Sequence, residues 1–212
     1  MQRRSFLSRF PALAALFGAG AVAPAVAAAA ESGGFEPVKH PQDEWLDSLP
    51  GKHRVVFDTW TASKFPEAIQ FANNIYRGNK DGYELTEKDL AIVIVARHRT
   101  APFAFNDAMW AKYGKSFSER MDFLDPKTNK VPTTNVYAAP LGGLLKQGVH
   151  LAVCNLTTRS TAQRLAELNG VSAEETYKEL TANALPNAHF VAAGVIGATR
   201  AQEHGYALIS IG

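Results

Sequence analysis

Cysteine is almost absent from this 212-residue sequence: Cys154 is the only one. A single thiol excludes an internal disulfide, so it is buried and inert, paired with another chain, or used chemically. Histidine is scarce too, with six residues, and His53, His150, His189 and His204 stand at no metal-ligand spacing. No zinc or other metal site is therefore expected. There is no G-x-S-x-G, which leaves a serine-hydrolase elbow without support. Leu141-Gly142-Gly143-Leu144 lacks the Lys-Ser/Thr partner of a phosphate loop. Lys and Arg form no run and do not alternate with aromatic residues, so no nucleic-acid partner is expected.

What is present begins with an unusual N-terminus. Arg3-Arg4 is followed by Phe6-Leu7, an Ala-rich core from Phe10 to about Val26, and small residues up to Ala30. A charged start, an apolar core and an A-x-A-type end read as an export signal of the twin-arginine kind. Pro11, Gly18, Gly20 and Pro24 argue against a stable spanning helix. The expected organisation is a signal at 1–30, a linker and lead-in at 31–52, and one domain at 53–212. A periplasmic location follows, with membrane contact only during export. Removing Arg3, Arg4 and Arg9 takes 22 basic residues to 19 against 20 acidic ones, so the mature chain is near neutral.

The domain alternates strand and helix signals. Residues 54–60, 90–96, 149–153, 189–193 and 206–211 read as strands, and 90–96 is an uninterrupted apolar run of the kind covered on both faces. Helices are expected at 66–77, at 105–113 with Gly114 as a left-handed stop, over 161–168, 172–183 and 194–204. A short helix near 43–49 and a helical return within 135–147 complete the set. Residues 116–147 read as an insertion over the surface, because 116–132 is polar and carries two prolines. This pattern predicts a single three-layer α/β/α domain with a mainly parallel sheet of about five strands.

Such a sheet binds ligands outside the carboxyl ends of its strands. Those ends gather Trp60, Arg97-His98, Cys154-Asn155 and Gly194. Cys154 stands just before a helix, where the peptide dipoles favour a thiolate. By position alone it is either a small core residue or a reactive thiol. Arg97 or His98 would supply stabilising charge, and Trp60 and Trp110 would exclude water. A second reading is a non-catalytic envelope binding protein, with Trp60, His98, Asn106, Trp110 and Tyr113 lining a pocket for a small ligand or cofactor and Cys154 packed in its wall.

Three stretches resemble the DsrE/DsrF-like family of sulfur-relay proteins: the strand 148–153 leading into Cys154, the segment 191–206 with Gly194, Gln202, Gly205 and Tyr206, and the first strand at 54–60. The resemblance spans the domain from about residue 53 to the C-terminus, with a longer middle than compact members have. It implies a three-layer fold, homo-oligomers, and a cysteine, here Cys154, that receives sulfane sulfur as a persulfide and passes it on. Implied partners are sulfur donor and acceptor proteins or small thiols, and no cofactor is required.

Overall fold

The computed structural model describes residues 36–212. The expected signal at 1–30 and the first part of the linker lie outside the described residues. Five strands form the frame: β1 (His53–Thr59), β2 (Leu90–Ala96), β3 (His150–Cys154), β4 (Ala188–Val191) and β5 (Ala207–Ile211). They make one sheet in the order β4-β3-β2-β1-β5, and every pairing is parallel. The three-layer α/β/α expectation holds.

The central strand, β2, explains its own composition. Ile92, Ile94 and Ala96 enter one core and Ala91, Val93 and Val95 the other, so no position is left for a polar side chain. The first core lies under α2 (Phe65–Tyr83), α3 (Asp107–Met121), α4 (Ala138–Lys146), α5 (Asn155–Asn169) and α6 (Ala173–Ala182). It is rich in aromatic rings. The second core is thinner and built from Ala and Val under α1 (Glu44–Ser48) and α7 (Gly194–Glu203). The chain moves outward from β1 to β4 with helices on one face. It then returns to β5 through α7 on the other face, which touches all five strands. Opposite directions on opposite faces keep every crossover right-handed.

Several elements depart from the sequence reading, each for a physical reason. α2 runs past residue 77 to Tyr83 and stops at Glu84, which takes the left-handed conformation at φ 56°. α3 does not end at Gly114: it continues to Met121, with Asp122 as its left-handed cap. Gly114 serves a close approach instead, because a Cβ there would overlap the carbonyl oxygen of Pro132. The 116–147 segment is therefore not a surface insertion throughout. Phe117, Met121, Phe123, Leu141 and Leu144 all belong to the first core, and helical spacing on α3 places the first two there.

The lead-in also joins the domain. Leu46 of α1 is buried, and its carbonyl accepts hydrogen bonds from Arg54 Nη1 (2.9 Å) and Tyr206 Oη (2.8 Å). The folded unit thus starts before residue 53. Beside it, Trp45 stacks on His189 with ring centroids 3.9 Å apart and planes 6° off parallel. His189 Nε2 lies 2.9 Å from His150 Nδ1 on the adjacent strand.

Burial pushes His150 down to about 4, aided by His189, and burial lowers His189 as well. The unfolded chain takes up these protons near 6.5, whereas the folded pair resists them until well below that. Stability from this pair is therefore full above about pH 6.5 and is lost as pH falls toward 4. His98, also lowered, adds to the same window. Asp47, held down to about 2 by hydrogen bonds from Lys39 and His204, acts only at more acid pH. Melting temperature is expected to drop between pH 6.5 and 4, and His150→Asn with His189→Asn should flatten most of that drop. An unchanged pH profile in the double variant would remove the pair as its cause.

Candidate functional site

Cys154 closes β3 and is itself the N-cap of α5. The helix starts at Asn155, six residues earlier than the apolar periodicity indicates. Its first turns are kept helical by hydroxyls that bond back along the chain. Thr158 Oγ1 donates to Cys154 O (3.0 Å), Ser160 Oγ to Thr157 O (3.0 Å), and Thr161 Oγ1 to Thr157 O (2.8 Å). The cap is made by sulfur. Thr157 N–H donates to Cys154 Sγ at 3.4 Å, and Thr157 Oγ1 donates to the same atom at 3.2 Å. Two donors at a helix N-terminus suit a sulfur that carries negative charge. Cys154 is 6% exposed and so nearly buried.

The loop after β2 completes this arrangement. Residues 97–100 form a tight turn pinned by Thr100, whose Oγ1 bonds to Arg97 N (3.0 Å), Arg97 O (2.8 Å) and Thr59 O (3.0 Å). The turn forces His98 to φ 52°, a left-handed conformation uncommon for a residue other than Gly. In that conformation His98 N–H donates to Thr157 Oγ1 at 3.3 Å. Backbone strain of about 1–3 kcal/mol is thus held beside the thiol, in the hydrogen-bond chain that leads to its sulfur. The His98 imidazole is exposed, and its basicity is lowered by burial and by Arg99, Arg120 and Arg97.

Arg97 has a different role from the expected one. Its Nε donates to Asp58 Oδ1 (2.6 Å) and its Nη2 to Asp58 Oδ2 (2.8 Å), a bidentate pair on the end of β1. This bond is the main reason its pKa is raised, and Cys154 contributes least. The guanidinium also lies over the Trp60 ring at 4.9 Å. Gly194, at the start of α7, makes room for the Arg97 stem: a Cβ would sit 2.8 Å from Arg97 Cδ. Behind the ring, Gly212 packs so closely that a side chain there would overlap Trp60. The strand order reverses between β1 and β5, so Trp60 and Gly212 pack together at the switch point where such sheets offer a ligand a crevice.

Trp60, Arg97, His98, Cys154, Asn155 and Gly194 do come to one edge of the sheet, as parallel strands require. Asn155 Oδ1 there accepts from Tyr177 Oη at 2.9 Å, a bond that fixes α6 against α5. Asn106 and Trp110 are not part of the edge. Asn106 caps α3 through Met109 N–H and bonds Asn183 through its amide (3.0 Å). Trp110 is fully buried in the first core, its Nε1–H donating to Pro102 O at 3.0 Å. Tyr113 Oη donates to Glu179 at 2.7 Å. These residues therefore do not line one pocket: Trp110 and Tyr113 belong to the first core, while Trp60 stays at the edge against Arg97.

Two residues escaped the sequence reading. Thr157, three positions after the cysteine, is the residue expected to satisfy an N-cap at N3, and that spacing could have marked it. Arg120 had no local signal. It reaches α5 across a contact between distant segments, with Nη2 donating to Ser160 Oγ at 3.0 Å. Among the described residues, no three His, Cys, Asp or Glu side chains group to hold a metal ion. Also among them, no helix is long and apolar enough to cross a membrane.

Neither a family model nor a curated protein matches this chain. Among solved structures, one of those similar to it is a protein of unknown function, MTH1491, from Methanobacterium thermoautotrophicum. The two are 19% identical over 75% of this chain and 99% of the other, with a TM-score of 0.43. At that distance no residue role is carried from one to the other.

Proposed function

We propose that the chain is an exported sulfur carrier, or sulfurtransferase-like protein, that holds sulfane sulfur as a persulfide on Cys154. The observation that carries this reading is the pair of Thr157 donors on Cys154 Sγ at the carboxyl edge of a parallel sheet. The strained His98, whose N–H bonds the hydroxyl that reaches the sulfur, supports it further. The DsrE/DsrF-like resemblance places its sulfur-carrying cysteine at the same position. Export through a twin-arginine signal and assembly into homo-oligomers belong to the same proposal and rest on the sequence.

The chemistry is two displacements at sulfur. Cys154 thiolate attacks the sulfane sulfur of a donor R–S–S⁻; the new S–S bond forms as the old one breaks, and R–S⁻ leaves with the electron pair. An acceptor thiolate then attacks the outer sulfur and releases Cys154 thiolate. No oxidant or reductant is consumed. The two Thr157 donors would serve the anionic sulfur at both ends of the cycle.

Intact-mass spectrometry after incubation with a sulfane-sulfur donor tests the reading. A reducible adduct of one sulfur is expected on the wild-type protein and none on Cys154→Ser, whose fold should be unchanged. A thiol that takes no sulfur and also resists iodoacetamide would make Cys154 a core residue and end the proposal.

A further inference from the structure

Arg120 stands apart from the other cations near Cys154. Arg97 is neutralised by Asp58, Arg99 lies 3.8 Å from Asp122, and Arg164 lies 3.8 Å from Glu119. Among the described residues Arg120 makes no ion pair. One nitrogen, Nη2, donates to Ser160 Oγ, whose hydroxyl donates in turn to the carbonyl of Thr157, the residue that bonds the sulfur. Another, Nε, is buried with no hydrogen-bond partner at all. A buried guanidinium donor without a partner costs free energy and calls for an explanation.

Burial, then Arg164, disfavour the charged form of Arg120, and Cys154 is the group that offsets them. Arg120 also bears on His98. Arg120 as a whole is half-buried, and a hydrogen-bonded path through Ser160 and Thr157 links its unpaired charge to the sulfur.

We infer that Arg120 makes the Cys154 site selective for anionic sulfane-sulfur donors, thiosulfate-like in charge. This rests on the persulfide reading of Cys154 and adds the class of donor. The guanidinium, which no carboxylate pairs among the described residues, selects for charge. With thiosulfate, Cys154 thiolate attacks the outer sulfur. The Cys–S–S bond forms, the donor's S–S bond breaks, and sulfite leaves with the electron pair. Arg120 is a positioning residue that holds the anionic end of the donor.

Alkylation kinetics of the full chain separate charge from reactivity. The rate of Cys154 modification by anionic iodoacetate, divided by that by neutral iodoacetamide, is expected to exceed the ratio for glutathione by roughly tenfold, as one unscreened charge near the thiol would give. Arg120→Gln should bring the ratio down to that of glutathione, and Arg120→Lys should keep part of it. If the Gln variant does not fold, added salt should lower the ratio in the wild type by screening the same charge. Sulfur loading is measured in parallel with thiosulfate, which leaves a persulfide, and with uncharged dimethyl trisulfide, whose attack at the central sulfur leaves a Cys–S–S–S–CH3 adduct and releases methanethiolate. Thiosulfate loading should fall in Arg120→Gln while dimethyl trisulfide loading persists. A ratio equal to that of glutathione and insensitive to salt, with neutral loading intact, overturns the donor class but leaves the persulfide reading standing. A thiol that neither alkylating agent modifies and neither donor loads overturns both.

Discussion

Trp110→Ala is expected to lower unfolding free energy by about 3–5 kcal/mol, and not to touch a binding site. The indole is fully buried, faces Phe103 with centroids 5.7 Å apart and meets Phe117 edge-on at 5.3 Å. Phe103 in turn packs on Phe65 and Tyr137, each at 4.8 Å, and on Phe123 at 5.2 Å. Removing the indole opens a cavity at the middle of this cluster and orphans the Pro102 carbonyl it now bonds. A domain of this size has about 5–15 kcal/mol to lose, so the variant should be marginal at 37 °C. Trp110→Phe keeps most of the packing and gives up one hydrogen bond, about 1–2 kcal/mol. Urea unfolding measures both. Whatever fraction of Trp110→Ala folds should still load sulfur on Cys154 at the wild-type rate. Wild-type stability combined with lost loading would instead put the ring in the site.

Whether a feature could be read from sequence depends on how locally its cause acts. β2 was legible to the residue, because a strand buried on both faces must be apolar at every position. The place of Cys154 was legible for a similar reason: a buried apolar run before a helix sets the end of β3. The start of α5 was not, since Thr158, Ser160 and Thr161 look like loop residues until their hydroxyls are seen bonding carbonyls one turn back. Gly114 misled because its cause, Pro132, lies 18 residues further on in the chain. Trp110 could have been placed in the core: Trp110, Tyr113, Phe117 and Met121 recur at helical spacing, but a helix ended at Gly114 hides the last two. Arg120 had no such signal, because its partner Ser160 is 40 residues away.

The Arg97–Asp58 pair shows how a charge at the right edge can serve the fold instead of the chemistry. Arg97→Met is expected to cost about 2–4 kcal/mol, because it strands a carboxylate that is 10% exposed and now receives two N–H donors. The figure lies at the lower end for a buried pair, since the arginine side chain is itself 21% exposed and partly screened. Adding Asp58→Asn to Arg97→Met should recover much of the loss, as removing both charges leaves no unpaired ion. Gly194→Ala reaches the same bond from the other side by pressing on the Arg97 stem, and should destabilise in the same direction. Sulfur loading discriminates the roles. Because Asp58 already neutralises Arg97, the folded Arg97→Met protein should load Cys154 within about threefold of wild type, a difference under 1 kcal/mol. A loss of tenfold or more with stability intact would return Arg97 to the chemistry and make Asp58 the group that aims it.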